Sequence, residues 1–414
     1  MKFSDYHIAP EIKRSLEKLD FKRPTDIQYR AIPSIMKGED VLAVAQTGTG
    51  KTAAFAIPVI SLLNERKKNN RPDGVKCVVM APTRELAQQI TEVFDSIAHF
   101  TAVKTLCLFG GVEQDPQIAR LEKGIDIVIA TPGRLFDLVS QGHLKLQRVE
   151  VLILDEADRM LDLGFLKDIQ DLLKHLPRRR QTLFFSATIN EKIKKVAYSL
   201  INSAAIRIQI SPNDPVAKNI NHFVAFVEMD DKRFFLERVI NEHPESKILV
   251  FVRTKVRAER VSNALTRMGI KSQTIHGDKE QSDRLLVMNQ FRAGEVKVLI
   301  ATDISARGID VANVEYVVNY DLPEQAENYV HRVGRTGRGT QKGNAVSFCS
   351  EEEKPILAEI ESFLDKPIDR LQISKSEYIE TLDFTADTTG DLKALLREIE
   401  ELHENKKKGK RKKK

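Results

Sequence analysis

Cysteine is scarce: three in 414 residues, with Cys77, Cys107 and Cys349 far apart, each inside an apolar run and none in a C-x-x-C pair. This excludes a cysteine-built zinc site or redox pair and makes the thiols small buried side chains. A reducing cytoplasm is the expected setting. Long hydrophobic runs are also missing, since nothing approaches the ~20 apolar residues of a membrane span, and no membrane partner is expected. The opening MKFSDYHIAPEIKRSLEKLD lacks the apolar middle of a signal peptide, so the chain should stay where it is made. Acid is absent from one place, the last ten residues NKKKGKRKKK, which hold eight basic side chains. Taking those eight from 65 leaves 57 basic groups against 59 acidic ones, a net of −2 for the body. Any groove for a polyanion in the body must therefore come from local placement of Arg and Lys.

What is present is a rhythm. Short β-branched runs such as DVLAVA, VKCVVMAP, IDIVIATP and VEVLILDE alternate with amphipathic helical stretches, and the pattern recurs after residue 220 with SKILVFVRT, VKVLIATD and VEYVVNYD. That order predicts an α/β chain of two tandem parallel-sheet domains, which suits its length. The expected divisions are an initial segment 1–30, a first domain 31–208, a linker 209–219 carrying QISPNDPVAKN, and a second domain 220–370. A short extension 371–404 follows, with a leucine-rich helical stripe from Asp391 to His403 that docks on its own domain or pairs two chains. The basic tail 405–414 has nothing to bury and should be disordered. It reads either as a solvated charge run or as a sequence-blind RNA tether.

In doubly wound sheets, ligands sit beyond the C-terminal ends of the strands. There the first half offers AQTGTGKT, residues 45 to 52, between a strand and a helix, while the second half has no glycine-rich loop. Gly48 and Gly50 let backbone N–H groups face a phosphate, Lys51 neutralises the β and γ phosphates, and the Thr52 hydroxyl suits Mg²⁺. VLILDEAD, from Val151, then sets Asp155, Glu156 and Asp158 at the lip of the core, where like charges destabilise one another unless a cation relieves them. With ATP and Mg²⁺ at this edge, Asp155 holds the metal and Glu156 deprotonates the attacking water. Asp158 is left to hold a neighbouring loop. Positive charge for the leaving phosphate is expected from HRVGRTGR, residues 331–338, where Arg335 and Arg338 follow Arg332. Upstream, FKRPTDIQ places Gln28 where a carboxamide could read adenine N6 and N7, although alone it would mark a helix start.

Together these residues resemble the DEAD-box RNA helicases of superfamily 2, most closely the bacterial RhlE-type subgroup, over residues 1 to 370. The Q motif matches Phe21 to Gln28 with Phe3 upstream, and motif I matches Ala45, Gln46, Thr47, Gly48, Thr49, Gly50, Lys51 and Thr52. APTRELA (81–87), Gly110-Gly111, TPGR (131–134), DEAD (155–158) and SAT (186–188) follow in the family's order. The second half carries LVFVRT, Gln281 to Arg284, ATDISARGID (301–310) and HRVGRTGR. Asp20 departs from the family's usual glycine before the aromatic of the Q motif.

The resemblance implies two RecA-like domains that ATP and RNA together close. It places RNA sugar and phosphate on Arg84, Gly111, Thr131, Arg134, Arg284 and Thr302, and the ATP ribose on Asp310. It gives Asp158, Ser186, Thr188 and His331 a coupling role. Backbone contacts do not read bases, so binding should be indifferent to sequence. Three activities share these motifs: an RNA-dependent ATPase that unwinds short duplexes, an ATP-gated RNA clamp, and a DNA-directed translocase. The expected function is the first, in a monomer whose partners are RNA and ribosome-assembly or RNA-decay proteins.

Overall fold

The computed structural model describes residues 2–45, 48–69, 74–210, 216, 219–303, 314–337 and 342–382. The apolar runs of the first half form seven strands: Val41–Ala45 (β1), Cys77–Met80 (β2), Thr105–Leu108 (β3), Ile127–Ala130 (β4), Val151–Leu154 (β5), Gln181–Ser186 (β6) and Ile206–Ile210 (β7). All pair in parallel, in the order β3-β4-β2-β5-β6-β1-β7. The central strands are buried on both faces because helices cover each side, which is why they read as continuous rather than alternating apolar runs.

The second half gives Ile220–Phe226 (β8), Ile248–Val252 (β9), Ser272–Ile275 (β10), Val298–Thr302 (β11), Tyr316–Asn319 (β12), Gly343–Cys349 (β13) and Asp369–Arg370 (β14). Their order, β10-β11-β9-β12-β13-β8-β14, repeats the first when each half is counted from its own first strand. Among the described residues, no helix is long and apolar enough to cross a membrane.

Three of the expected divisions meet partners elsewhere in the chain. Residues 1–30 are not a separate segment, because Phe3, Ile12, Leu16 and Ile27 lie in the same core cluster as Val41 and Ala43. The linker cannot begin at 209, since Gln209 and Ile210 pair with Val44 and Ala45. Residues 211–215, 217 and 218 lie outside the described residues. The extension from 371 starts docked on the second domain: the Tyr378 hydroxyl donates to Asp231 at 2.8 Å, and its ring lies 4.9 Å from that of Phe235. The helix expected at 391–403 and the tail 405–414 lie outside the described residues.

The repeated topology puts a lysine at the same point of each half. Lys51 opens the helix after β1, and Lys232 opens the helix after β8. Lys232 is fully buried, and its ammonium donates to Glu353 at 2.5 Å and to the Tyr320 carbonyl at 2.8 Å. A carboxylate thus occupies the lysine where a phosphate would be. Removing one partner of such a pair strands the other charge, so Glu353→Ala should destabilise the second domain by about 3–5 kcal/mol in urea unfolding. An unchanged midpoint would show that Lys232 finds water.

Candidate active site

At the end of β1, Gly48 (φ +80°) and Gly50 (φ +89°) adopt the left-handed backbone that turns the loop. Two side chains from the N-terminal segment grip it: Thr25 Oγ1 donates to the Thr49 carbonyl at 2.8 Å, and Gln28 Nε2 donates to the Gly50 carbonyl at 3.1 Å. A Cβ at Gly50 would meet Gln28 Nε2 at 2.5 Å, so the grip needs glycine. Gln28 Oε1 accepts from Thr25 N at 3.0 Å, closing a capping box on the helix Asp26–Met36. The carboxamide expected at adenine therefore also fastens the phosphate loop.

Phe21 is 37% exposed and rests near Phe3, which is 4% exposed, with ring centroids 6.2 Å apart. Asp20 sets Phe21 in place. It ends the helix Pro10–Lys18 with φ +58°, while Phe21 N donates to the Leu16 carbonyl and Asp20 N to that of Glu17. The family's glycine there meets this left-handed turn, which aspartate also tolerates. Lys51 is buried and its ammonium donates to the Ala45 carbonyl at 2.9 Å, while Thr52 is half-buried. Gln46 and Thr47 lie outside the described residues.

At the end of β5, Asp155 is 3% exposed and burial pushes its carboxyl up to about 6, with Lys51 pulling it down and Glu156 pushing it further up. Glu156 takes a left-handed backbone (φ +48°, ψ +49°), uncommon for a side-chain-bearing residue and of the kind that gathers at functional sites. Its Oε2 is buried without a hydrogen-bond partner. A buried carboxylate oxygen is a hard donor that fits Mg²⁺, and the Lys51 charge that acts on it suits an accompanying polyphosphate. Asp158 faces the other way, its Oδ2 accepting from Ala187 N, Thr188 N and Thr188 Oγ1 at 3.1, 2.9 and 3.0 Å. Ser186 Oγ donates to the Thr188 carbonyl at 2.7 Å. The DEAD and SAT segments thus form one hydrogen-bonded unit.

The second domain reaches into this pocket. His331 and Arg335 are both buried, and the Glu156 charge acts on each. Burial lowers the His331 imidazole below its ordinary range, against the pull of Asp158 and Glu156. Arg335 Nε donates to the His331 carbonyl at 3.0 Å. Arg332 acts differently, forking onto Asp303 at 2.6 and 2.8 Å and reaching the Asp321 carbonyl at 2.6 Å. That bidentate pair pins the arginine segment to the end of β11. Arg338 and Asp310 lie outside the described residues.

A second constellation lies at the ends of β3, β4 and β11. Gly111 (φ +76°) lets the Arg84 guanidinium lie against the chain, since a Cβ there would overlap it. Arg134 is 7% exposed and donates to the Val112 carbonyl at 2.9 Å, Thr131 begins the helix Pro132–Ser140, and Thr302 ends β11. Arg284, from the second domain, meets Glu85 at 2.5 Å. Burial lowers the Arg84 pKa, and the nearby Arg284 and Arg134 charges add to that shift while Glu85 opposes it. Both constellations draw from both domains, so the structure is in a closed arrangement. Sequence reasoning missed Thr25, Glu85 and Asp303. Only Thr25 carried a local signal, the T-x-x-Q capping pattern.

Residues 25–196 match the family described as DEAD/DEAH box helicase, and residues 231–340 match the helicase conserved C-terminal domain. The chain is 39% identical over 378 residues to the ATP-dependent RNA helicase DbpA of Bacillus subtilis (strain 168), covering 91% of this chain and 78% of that protein. It is 40% identical over 374 residues to the ATP-dependent RNA helicase RhlB of Shewanella frigidimarina (strain NCIMB 400), covering 89% and 85%. Among solved structures it is similar to S. cerevisiae Dbp5 bound to RNA and ADP BeF3, with a TM-score of 0.82 and 30% identity over 92% of this chain and 98% of that one.

Proposed function

The chain belongs to the DEAD/DEAH box helicase family and is an ATP-dependent RNA helicase, and on that footing we propose how its residues divide the work. Phe21 and Gln28 receive the adenine, Phe3 supports Phe21, Asp310 receives the ribose, and the loop from Ala45 to Thr52 wraps the phosphates. Thr52 and Asp155 would hold Mg²⁺, which supplies charge neutralisation across the β and γ phosphates when bound. Glu156 takes the proton of the attacking water, while Arg335 and Arg338 stabilise charge on the departing phosphoryl group. Asp158, Ser186, Thr188 and His331 pass closure between the domains. RNA lies by its backbone on Arg84, Gly111, Thr131, Arg134, Arg284 and Thr302.

The observation that carries this reading is that Glu156 from one domain and Arg335 from the other are both buried, with the Glu156 charge reaching Arg335. Hydrolysis therefore depends on closure, and RNA held across both domains favours closure. The test is ATPase activity with RNA, with DNA of equal length and with neither. Strong stimulation by RNA alone is expected, and equal rates in all three would refute the coupling.

The finer reading places the chain in the RhlE-type subgroup, in the cytoplasm and as a monomer, with ribosome-assembly or RNA-decay proteins as partners. These rest on the sequence.

Asp155 sets a pH limit. Below about pH 6 its carboxyl takes a proton and loses the charge that holds the metal, so KM for Mg·ATP should rise as pH falls from 7 to 5. A flat KM profile would place the metal elsewhere. For folding the sign reverses: a carboxyl raised in the native state stabilises at low pH, and this contribution is lost as pH rises through about 6.

A further inference from the structure

The extension that begins at residue 371 lies against the helix Lys232–Glu242 and is fastened there, since the Tyr378 hydroxyl bonds Asp231 and Arg238 Nη1 donates to Thr381 Oγ1 at 2.9 Å. Two cavities remain along this seam, of about 310 and 250 Å³, and both have Arg238 and Glu242 in their walls. The smaller is mainly apolar, with Phe235, Val239, Phe348, Leu371 and Ile373 around it. It is open to solvent, because Leu371 is 39% exposed and Glu242, Gln372 and Glu377 are exposed as well. The larger is acidic: Glu237, Glu242 and Glu380 line it, against the single cation Arg238, whose Nε donates to Glu242 at 2.8 Å.

The same chain holds a segment of matching shape and charge. The described residues end at 382, directly after Thr381 and Glu380 in the wall of the larger cavity. Residues 383–390 follow, able to span at most about 30 Å, and then comes the leucine-rich stripe from Asp391 to His403. As a helix the stripe would be about 20 Å long, beside about 16 Å for Lys232–Glu242. Leu392, Leu395, Leu396, Ile399 and Leu402 would share one face, and the lysines from Lys406 come just behind them. An apolar face followed by cations thus stands one short connection away from an apolar cavity beside an acidic one.

We propose that residues 391–403 fold back onto this seam as a helix, with leucines in the apolar cavity and the first lysines of the tail against Glu237, Glu242 and Glu380. Of the two fates read from the sequence, docking on its own domain is favoured over pairing of two chains, because so short a connection holds the stripe at about millimolar local concentration. The basic tail is then carried on the second domain, with part of its charge met by carboxylates.

The test is the rate at which a maleimide modifies Asn241→Cys, at an exposed position in the wall of the larger cavity. The unsubstituted chain gives the background, since Cys77 and Cys349 are buried and Cys107 is half-buried. The full chain should react about tenfold or more slowly than the same chain ended at residue 390. Dilution by about a hundredfold should leave that ratio unchanged, because the contact is within one chain. Leu395→Asp with Leu396→Asp should restore fast reaction without lowering the melting temperature. Ending the chain at residue 404 should raise the rate about threefold at low salt, through loss of the lysines. Equal rates in the full chain and the chain ended at 390 would overturn the proposal, as would slow reaction that persists in the aspartate variant. Protection that disappears on dilution would overturn it in favour of a second copy of the chain, and no change on ending at 404 would overturn the contact between tail and carboxylates.

Discussion

Glu156→Gln is expected to stop ATP turnover while ATP and RNA still bind. The substitution keeps the side chain's shape, so the left-handed turn that carries it, the Asp155 contact to Glu156 N at 3.0 Å and the phosphate loop should all survive. What disappears is the base. Glutamine cannot accept a proton from water, and loss of a positioned general base lowers rate by about 10²–10⁴-fold. On the proposed reading, the buried Glu156 Oε2, which has no hydrogen-bond partner, takes that proton. The measurements are steady-state ATPase with saturating RNA, beside RNA binding in the presence of ATP. Residual turnover within tenfold of the wild type would mean that another group activates the water.

Arg335→Ala should slow hydrolysis by about 10³-fold, the effect of removing a guanidinium that neutralises transition-state charge. The side chain is almost wholly buried and tied by Nε to the His331 carbonyl, so it is held toward the Glu156 site before any substrate arrives. Burial lowers its pKa and the Glu156 carboxylate raises it, which places the two groups in one electrostatic environment. ATP affinity should change little, because on the proposed reading the nucleotide's ground-state contacts, Asp310 apart, come from the first domain. Arg335→Lys should not restore the rate, since an ammonium lacks the planar fork. Single-turnover hydrolysis with prebound RNA reads the chemical step directly. A large rise in Kd for ATP with an unaltered rate constant would assign Arg335 to binding instead.

Arg332 shows where pattern reading stops. In HRVGRTGR the three arginines look alike, yet Arg332 is consumed by Asp303, Asn319 and the Asp321 carbonyl, whereas Arg335 bonds the His331 carbonyl and feels the Glu156 charge of the other domain. Nothing in the spacing separates them, because the difference is made by β11 and β12, which lie elsewhere in the chain. Glu85 is a similar case: it sits inside APTRELA as an ordinary helix residue and becomes an interdomain partner only when the helix Gln281–Ala293 is brought beside it. Asp20 is the opposite case, since its departure from the family's glycine is settled locally by a helix end that accepts either residue.

The linear order of residues was enough to fix two parallel sheets, the phosphate loop and the acidic strand end, because those depend on patterns a few residues long: buried runs, glycines at left-handed turns, carboxylates just past a strand. The boundaries near 30 and 209 were not legible, since β7 and the N-terminal helices join the first domain through partners that lie far away in the chain. Folding alone assigned the division of labour among like residues, the Lys232–Glu353 pair that closes the second domain's equivalent of the phosphate site, and the cavities beside the docked extension. Each of these arises from charges and surfaces that meet only after packing, when desolvation makes every buried group choose a partner.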